Sequence, residues 1–121
     1  MIRVFITDDH TVLRSGLRLM INSEPDMEVI GEADSGASAL AQIEGLKPDV
    51  ILMDITLPDM NGVEVIRALK QTPHSSWRIL VLTMHSEVEY LRPALDAGAD
   101  GYLVKSVADD ALLDAIRTIR R

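Results

Sequence analysis

The chain has 121 residues, is 47% hydrophobic and carries a formal net charge of -7. That length suits one domain with a real core, and that apolar content excludes a disordered chain. The acidity argues against direct nucleic-acid binding, the lack of cysteine excludes disulfides and thiolate chemistry, and no apolar run approaches the roughly 20 residues that span a bilayer.

The first segment, MIRVFITDD, reaches two acids too early for a signal peptide, and a cytoplasmic location is the expectation. Within it, Ile2–Thr7 reads as a buried strand, and Leu13, Leu17, Met20 and Ile21 then recur at helical spacing. Met27–Ala33 is a second, more polar strand, expected at a sheet edge. Leu40, Ile43 and Glu44 sit in a short helix expected to close at Gly45. Asp49–Asp54 is a third strand behind Pro48, and Val63, Val65, Ile66 and Leu69 form a helix after the Asn61-Gly62 turn. Arg78–Thr83 is a fourth strand, followed by a helix from about Glu87 to Ala97 that ends at Gly98. Gly101–Lys105 is a fifth strand, and the last helix carries Leu112, Ala115, Ile116 and Ile119 on one face. Its closing cations, Arg117, Arg120 and Arg121, are read as complementing the helix dipole rather than as a nucleic-acid patch.

Five alternations of strand and helix predict an α/β fold with a parallel sheet covered on both faces. In the fourth helix, Ser86 to Glu89 fits a capping box, yet Pro93 then falls in the interior, at a cost of roughly 3 kcal/mol. Either the helix kinks or it starts late with Pro93 in its first turn. The late start is the reading adopted, with high mobility expected around Ser86 to Arg92.

Ligands of open α/β sheets bind beyond the carboxyl ends of the strands. There this chain places Asp8, Asp9 and His10 after the first strand, Asp54 at the end of the third, Thr83 at the end of the fourth and Lys105 at the end of the fifth. Singly, each has an ordinary explanation: an Asp caps a helix, a Thr favours strands, a Lys at a sheet edge is solvated. Together they are a chemical set. Three carboxylates repel one another, and a hard divalent cation such as Mg²⁺ relieves the repulsion. A cation, an ammonium, a hydroxyl and a nucleophilic carboxylate are the equipment for phosphoryl transfer to Asp54. His10 and His85 are alternative metal ligands beside the acids, but are read as the start of the first helix and a rim residue.

The pieces DDH, ILMD followed by ITLPDMNG, VLT and GADGYLVK resemble the receiver domain of bacterial two-component response regulators, over essentially the whole chain. The wording is most similar to the NarL/FixJ subfamily, whose members carry a LuxR-type helix-turn-helix output domain. The resemblance implies a flavodoxin-like (CheY-like) doubly wound five-stranded sheet in the order 2-1-3-4-5 with five helices, residues 1–121 forming the receiver and a DNA-binding domain following in a longer parent protein. It implies Asp54 as phosphoacceptor, with Mg²⁺ (Mn²⁺ as a substitute) on Asp8, Asp9, Asp54 and the backbone carbonyl of Thr56. Thr83 and Lys105 would bind the phosphoryl group, and Thr83 and Tyr102 would act as the switch, reshaping the surface of the fourth helix, fifth strand and fifth helix. Tyr102 is otherwise an ordinary half-buried strand tyrosine. The implied partners are a sensor histidine kinase docking on the first helix at Arg14, Ser15, Leu17 and Arg18, the chain's own output domain, and a second copy in a homodimer; neither nucleic acid nor membrane is a direct partner. The implied role is signalling rather than metabolic catalysis, the domain catalysing only its own phosphorylation and dephosphorylation.

The chain departs from the family pattern in places. Ser106 stands where many receivers have Pro, so a trans bond to Lys105 is expected. Met84 replaces a small residue, and Thr56 and His85 occupy positions that tune dephosphorylation. His74 is assigned no role, and Trp77 is read as edge packing. Rival readings are a flavodoxin-like cofactor binder, which the acidic first loop opposes; a haloacid-dehalogenase-like phosphatase, which wants Asp at position 56; and a receiver-like module that takes up no phosphate.

Overall fold

In a computed structural model, which describes residues 1–73, 75–84, 89–105 and 109–121, the ten expected elements all form. The order is β1 (Ile2–Thr7), α1 (Thr11–Asn22), β2 (Met27–Ala33), α2 (Gly36–Leu46), β3 (Val50–Asp54), α3 (Gly62–Gln71), β4 (Arg78–Thr83), α4 (Leu91–Ala97), β5 (Gly101–Val104) and α5 (Asp109–Arg120). All strand pairs are parallel, and the sheet runs β2-β1-β3-β4-β5. The polar β2 lies at an edge, as its composition predicts, and the apolar β1, β3 and β4 lie inside.

Strand alternation sorts the core into two layers. Phe5, Ile51, Met53, Ile79 and Val81 face α2, α3 and α4, meeting Ile43, Val65, Ile66 and Ala94. Val4, Ile6, Val50, Leu52, Leu80 and Leu82 face the other way, onto Leu17 and Ile21 of α1 and Leu112 and Ile116 of α5. Trp77 is buried in the first layer, its indole N–H donating to the Leu69 carbonyl at 3.2 Å, so the edge-packing reading holds.

Caps set the helix ends. The Ser35 hydroxyl accepts from the Ser38 N–H at 3.1 Å, and the Asn61 side chain accepts from the Val63 N–H at 2.8 Å, satisfying first-turn donors. Gly98 closes α4 at φ 120. Two expectations need correction. First, α2 does not close at Gly45. It continues to Leu46, and Lys47 takes the left-handed cap at φ 52. The extra residue lets Leu46 pack on the α2–α4 core layer, a gain that outweighs the strained cap. Second, α4 starts at Leu91, not near Glu87. Pro93 is its third residue, inside the first turn, where a missing N–H costs nothing. The late start therefore holds. Ser86 and Glu87 of the capping box, most of the segment expected to be mobile, His74, His85 and Ser106 lie outside the described residues.

Near its C-terminus, α5 is tied to the α1–β2 turn. Arg117 Nε donates to Asp26 Oδ2 at 2.8 Å and Nη2 to Glu24 Oε1 at 2.6 Å, and the Asp26 carboxyl is held below its ordinary range by that guanidinium. Arg120 Nε lies 3.6 Å from Asp49 Oδ1, so two of the three closing cations meet specific acids.

Two glycines separate the effect of space from that of conformation. An added Cβ at Gly45 meets nothing within 4 Å, and Gly45 has no positive φ. One at Gly62 would lie 2.5 Å from the Asp54 carbonyl oxygen and 2.8 Å from Ile55 Cα. Urea denaturation should show Gly45→Ala gaining about 0.5–1 kcal/mol. Gly62→Ala should lose about 1–3 kcal/mol, because backbone rather than a pliant side chain must give way.

Candidate functional site

The parallel sheet brings the carboxyl ends of β1, β3, β4 and β5 together. Asp8 follows β1, its N–H donating to the Ala33 carbonyl at 3.0 Å, and its side chain is buried. Asp54 ends β3 and is also fully buried, rather than emerging at the sheet edge as the sequence suggests. Lys105 follows β5, and its N–H donates to the Thr83 carbonyl at 2.8 Å. That bond keeps the β4 and β5 ends in step and sets the ammonium over the pocket.

Charges meet there at short range. Lys105 Nζ lies 3.0 Å from Asp54 Oδ2 and 3.4 Å from Asp8 Oδ2. The Thr56 N–H donates to Asp54 Oδ1 at 3.2 Å. His10 Nδ1 lies 2.9 Å from Asp8 Oδ1, 3.4 Å from Asp9 Oδ1 and 3.9 Å from Asp54 Oδ2. Burial and the negative charge of Asp8 push the Asp54 carboxyl up to about 6, against the pull of Lys105 and the Thr56 N–H. Burial lowers the Lys105 ammonium, but its hydrogen bond to Asp54 and the charges of Asp54 and Asp8 outweigh that and raise it.

One ammonium is thus shared by two buried carboxylates, and the account is incomplete. Among the described residues Asp8 Oδ2 is buried and accepts no hydrogen bond, the Lys105 ammonium 3.4 Å away being shared with Asp54. Such an atom costs about 1–3 kcal/mol unless something satisfies it. A divalent cation fits this deficit, because hard carboxylate oxygens are its preferred donors. Oxygens of Asp8, Asp9 and Asp54 and a His10 nitrogen lie within 4.8 Å of one another, a group with the donor types to hold a metal ion.

Of the residues expected to act, Asp8, Asp9, Asp54 and Lys105 converge. Thr83 is buried at the end of β4, and its hydroxyl donates to the Met84 carbonyl at 3.1 Å. Thr56 is exposed and bridges to Asn61. Tyr102 lies in the edge strand β5 opposite Val81, 46% exposed. Of the residues expected to meet a kinase, Leu17 is buried in the core, whereas Arg14 and Arg18 hold Glu32 of β2 at 3.1 and 2.6 Å.

Three contributors were not assigned these roles from the sequence. His10 is the N-cap of α1, as expected, but its ring makes no capping bond and turns toward the acids. Arg14 Nη1 donates to the Asp8 carbonyl at 2.6 Å, fixing the acidic turn from the first turn of α1. Asp59 accepts from the Gly36 and Ala37 N–H groups at 2.8 and 2.9 Å, which hold its carboxyl below its ordinary range and staple the loop after Asp54 to the start of α2. The periodicity places Arg14 one turn into a helix beginning beside the acids, a usable signal; Asp59 offers none, since its partners are 22 and 23 residues away.

The fold and site define a class: a doubly wound α/β domain with buried carboxylates and a lysine at the carboxyl ends of its strands. Comparison with known proteins narrows it. Residues 4–117 match the family described as response regulator receiver domain. The transcriptional regulatory protein DegU of Brevibacillus brevis is 39% identical over 118 residues, 98% of this chain and 50% of DegU. The nitrate/nitrite response regulator protein NarL of Escherichia coli K12 is 39% identical over 113 residues, 93% of this chain and 52% of NarL. Among solved structures, a LuxR-family two-component response regulator from Aurantimonas sp. SI85-9A1 superposes with TM-score 0.89 at 36% identity, covering 98% of this chain and 84% of that one. A LuxR-family DNA-binding response regulator from Staphylococcus aureus superposes with TM-score 0.92 at 25% identity over the whole of both chains. The chain belongs to the receiver domains of two-component response regulators, of the NarL/LuxR type. Such domains are signalling proteins, not metabolic enzymes. The chain spans about half the length of the curated relatives it matches. Among the described residues, no helix is long and apolar enough to cross a membrane.

The raised Asp54 carboxyl has a measurable consequence. Moving it from the ordinary 3.8 to about 6 disfavours the folded, ionised form by roughly 3 kcal/mol. Above pH 6 both folded and unfolded chains are ionised and the penalty is complete. Between 6 and 3.8 the folded protein keeps a proton that the unfolded chain has lost, so the penalty fades as pH falls. Thermal unfolding in EDTA should therefore find Asp54→Asn more stable than the parent at pH 8, by about 1–3 kcal/mol. That margin should shrink as the pH is lowered through 6 toward 4.

Proposed function

We propose that this domain is a phosphorylation-dependent switch whose acceptor is Asp54. The observation that carries the reading is a buried carboxylate whose charge is only partly matched: Lys105 pairs with it at 3.0 Å while Asp8 opposes it. Such a group, with a free carboxylate oxygen and an ammonium beside it, is placed to attack phosphorus, and the added negative charge of the acyl phosphate formed is met by Lys105.

The donor is the phosphohistidine of a sensor histidine kinase. An Asp54 oxygen forms the new O–P bond, the P–N bond to the donor imidazole breaks, and the released imidazole takes up a proton. Lys105 neutralises the phosphoryl oxygens, and the Thr83 hydroxyl exchanges the Met84 carbonyl for one of them. Mg²⁺, or Mn²⁺ in its place, held by Asp8, Asp9, Asp54 and the Thr56 carbonyl, would supply charge neutralisation for carboxylates and phosphoryl group alike. Water attacking the phosphorus forms a new O–P bond, breaks the bond to the Asp54 oxygen and releases inorganic phosphate and a proton, which returns Asp54 to its carboxylate, so phosphorylation and dephosphorylation are both the domain's own.

Movement of Thr83 vacates space beside β5, and Tyr102 turns inward from its exposed position, changing the α4-β5-α5 surface. In the longer parent protein that surface controls a C-terminal LuxR-type DNA-binding domain and thereby transcription. Pairing with a second copy, docking of the kinase on α1 and a cytoplasmic location complete the reading. This domain itself contacts neither DNA nor membrane.

Incubation with Mg²⁺ and acetyl phosphate, followed by intact mass, tests it. One phosphoryl group should be gained by the parent protein and none by Asp54→Ala, while Lys105→Ala should react at least about tenfold more slowly. Thr83→Ala should take up the group yet leave the Tyr102 ring signals unshifted in NMR. A parent protein that gains no mass overturns the proposal.

A further inference from the structure

The imidazole of His10 stands where the acidic pocket would close on a cation. Its Nδ1 is 2.9 Å from Asp8 Oδ1 and 3.4 Å from Asp9 Oδ1. Neighbouring donors of an octahedral ion with bonds of about 2.1 Å are roughly 3 Å apart, so these spacings suit donors sharing one ion. A second observation points the same way. Asp8 Oδ2 is buried and accepts no hydrogen bond among the described residues; the cation beside it is Lys105 Nζ at 3.4 Å, an ammonium that also lies 3.4 Å from His10 Nδ1 and answers Asp54 as well, so this carboxylate retains capacity for a metal. The ring is also not engaged where a residue at the start of a helix usually is. It caps no N–H of α1, and its outer side is open, with 61% of the side chain exposed.

A pocket of carboxylates alone suits Mg²⁺, whereas imidazole favours Co²⁺ and Ni²⁺. We propose that His10 supplies a nitrogen ligand to the acidic pocket, strengthening this receiver's hold on borderline transition ions beyond what its carboxylates alone confer. The inference rests on the pocket of Asp8, Asp9 and Asp54 being a metal site, as proposed above. When Mg²⁺ binds, His10 stays at the rim and the carboxylates do the work. Co²⁺ or Ni²⁺ would be held by Nδ1 together with the carboxylates.

The experiment is calorimetric titration of the untagged chain with MgCl₂ and, separately, with CoCl₂ or NiCl₂, alongside the visible spectrum of the Co²⁺ adduct. His10→Ala should weaken Co²⁺ and Ni²⁺ binding at least about tenfold and shift the Co²⁺ bands, while leaving Mg²⁺ affinity unchanged within about twofold. His10→Asn, which restores a capping side chain to α1 but not the nitrogen ligand, should behave as His10→Ala does. Excess Mg²⁺ should displace the Co²⁺ that depends on His10, which places both ions in one pocket and sets aside binding at His74 or His85. Equal losses for Mg²⁺ and Co²⁺, an unaltered ratio, or Co²⁺ that Mg²⁺ cannot displace would each overturn the role of His10 and leave the switch reading standing. Failure of the parent protein to bind any of these ions would overturn the metal pocket itself, and this inference with it.

Discussion

Much of this structure is arranged around one ammonium. Lys105 Nζ is shared between Asp54 and Asp8, two carboxylates with no exposed side-chain surface. Burying a charge is expensive unless a partner answers it, and here one cation answers two anions. The site is therefore held together and left unsatisfied at once. The raised Asp54 carboxyl and the orphaned Asp8 oxygen are two expressions of that shortfall. A fold that spent all its charge on internal pairs would have nothing left with which to bind a cation or accept an anionic group.

An unsatisfied site persists only if its surroundings over-determine it. Each corner of the pocket is anchored from outside. The Asp8 turn is pinned by the Ala33 carbonyl and by Arg14. The loop beyond Asp54 is stapled through Asp59 to α2 and re-enters α3 through the Asn61 cap. Lys105 is held by its N–H bond to Thr83, the residue with which the switch would begin. Arg14 also reaches Glu32, so α1 and β2 brace the acidic turn together. A substitution in any of these anchors would act on the pocket without touching it.

Membership of the receiver family makes sense of features that are otherwise costly. α4 is short, Leu91–Ala97, closed by Gly98, and β5 leaves Tyr102 half exposed on the sheet edge. His10 is the feature that sets this chain's pocket apart from a plain carboxylate site, since its imidazole enters the group of donors from the start of α1.

The sequence by itself determined the element order, the edge position of β2, the two-sided burial of β1, β3 and β4, and the convergence of Asp8, Asp54, Thr83 and Lys105 at one edge. All of these follow from periodicity and from the rule that parallel strands carry their chemistry at their carboxyl ends. It narrowed Pro93 to a kink or a first turn, and the structure has the first turn. Only the tertiary structure decided the end of α2, because whether Leu46 repays a left-handed Lys47 depends on a core the local pattern does not contain. Only the tertiary structure turned the His10 ring to the acids, brought Asp59 to the Gly36 and Ala37 N–H groups and set Arg14 on the Asp8 carbonyl. Periodicity reports which face of an element is buried. It does not report which polar atoms, distant in the chain, will meet once those faces are covered.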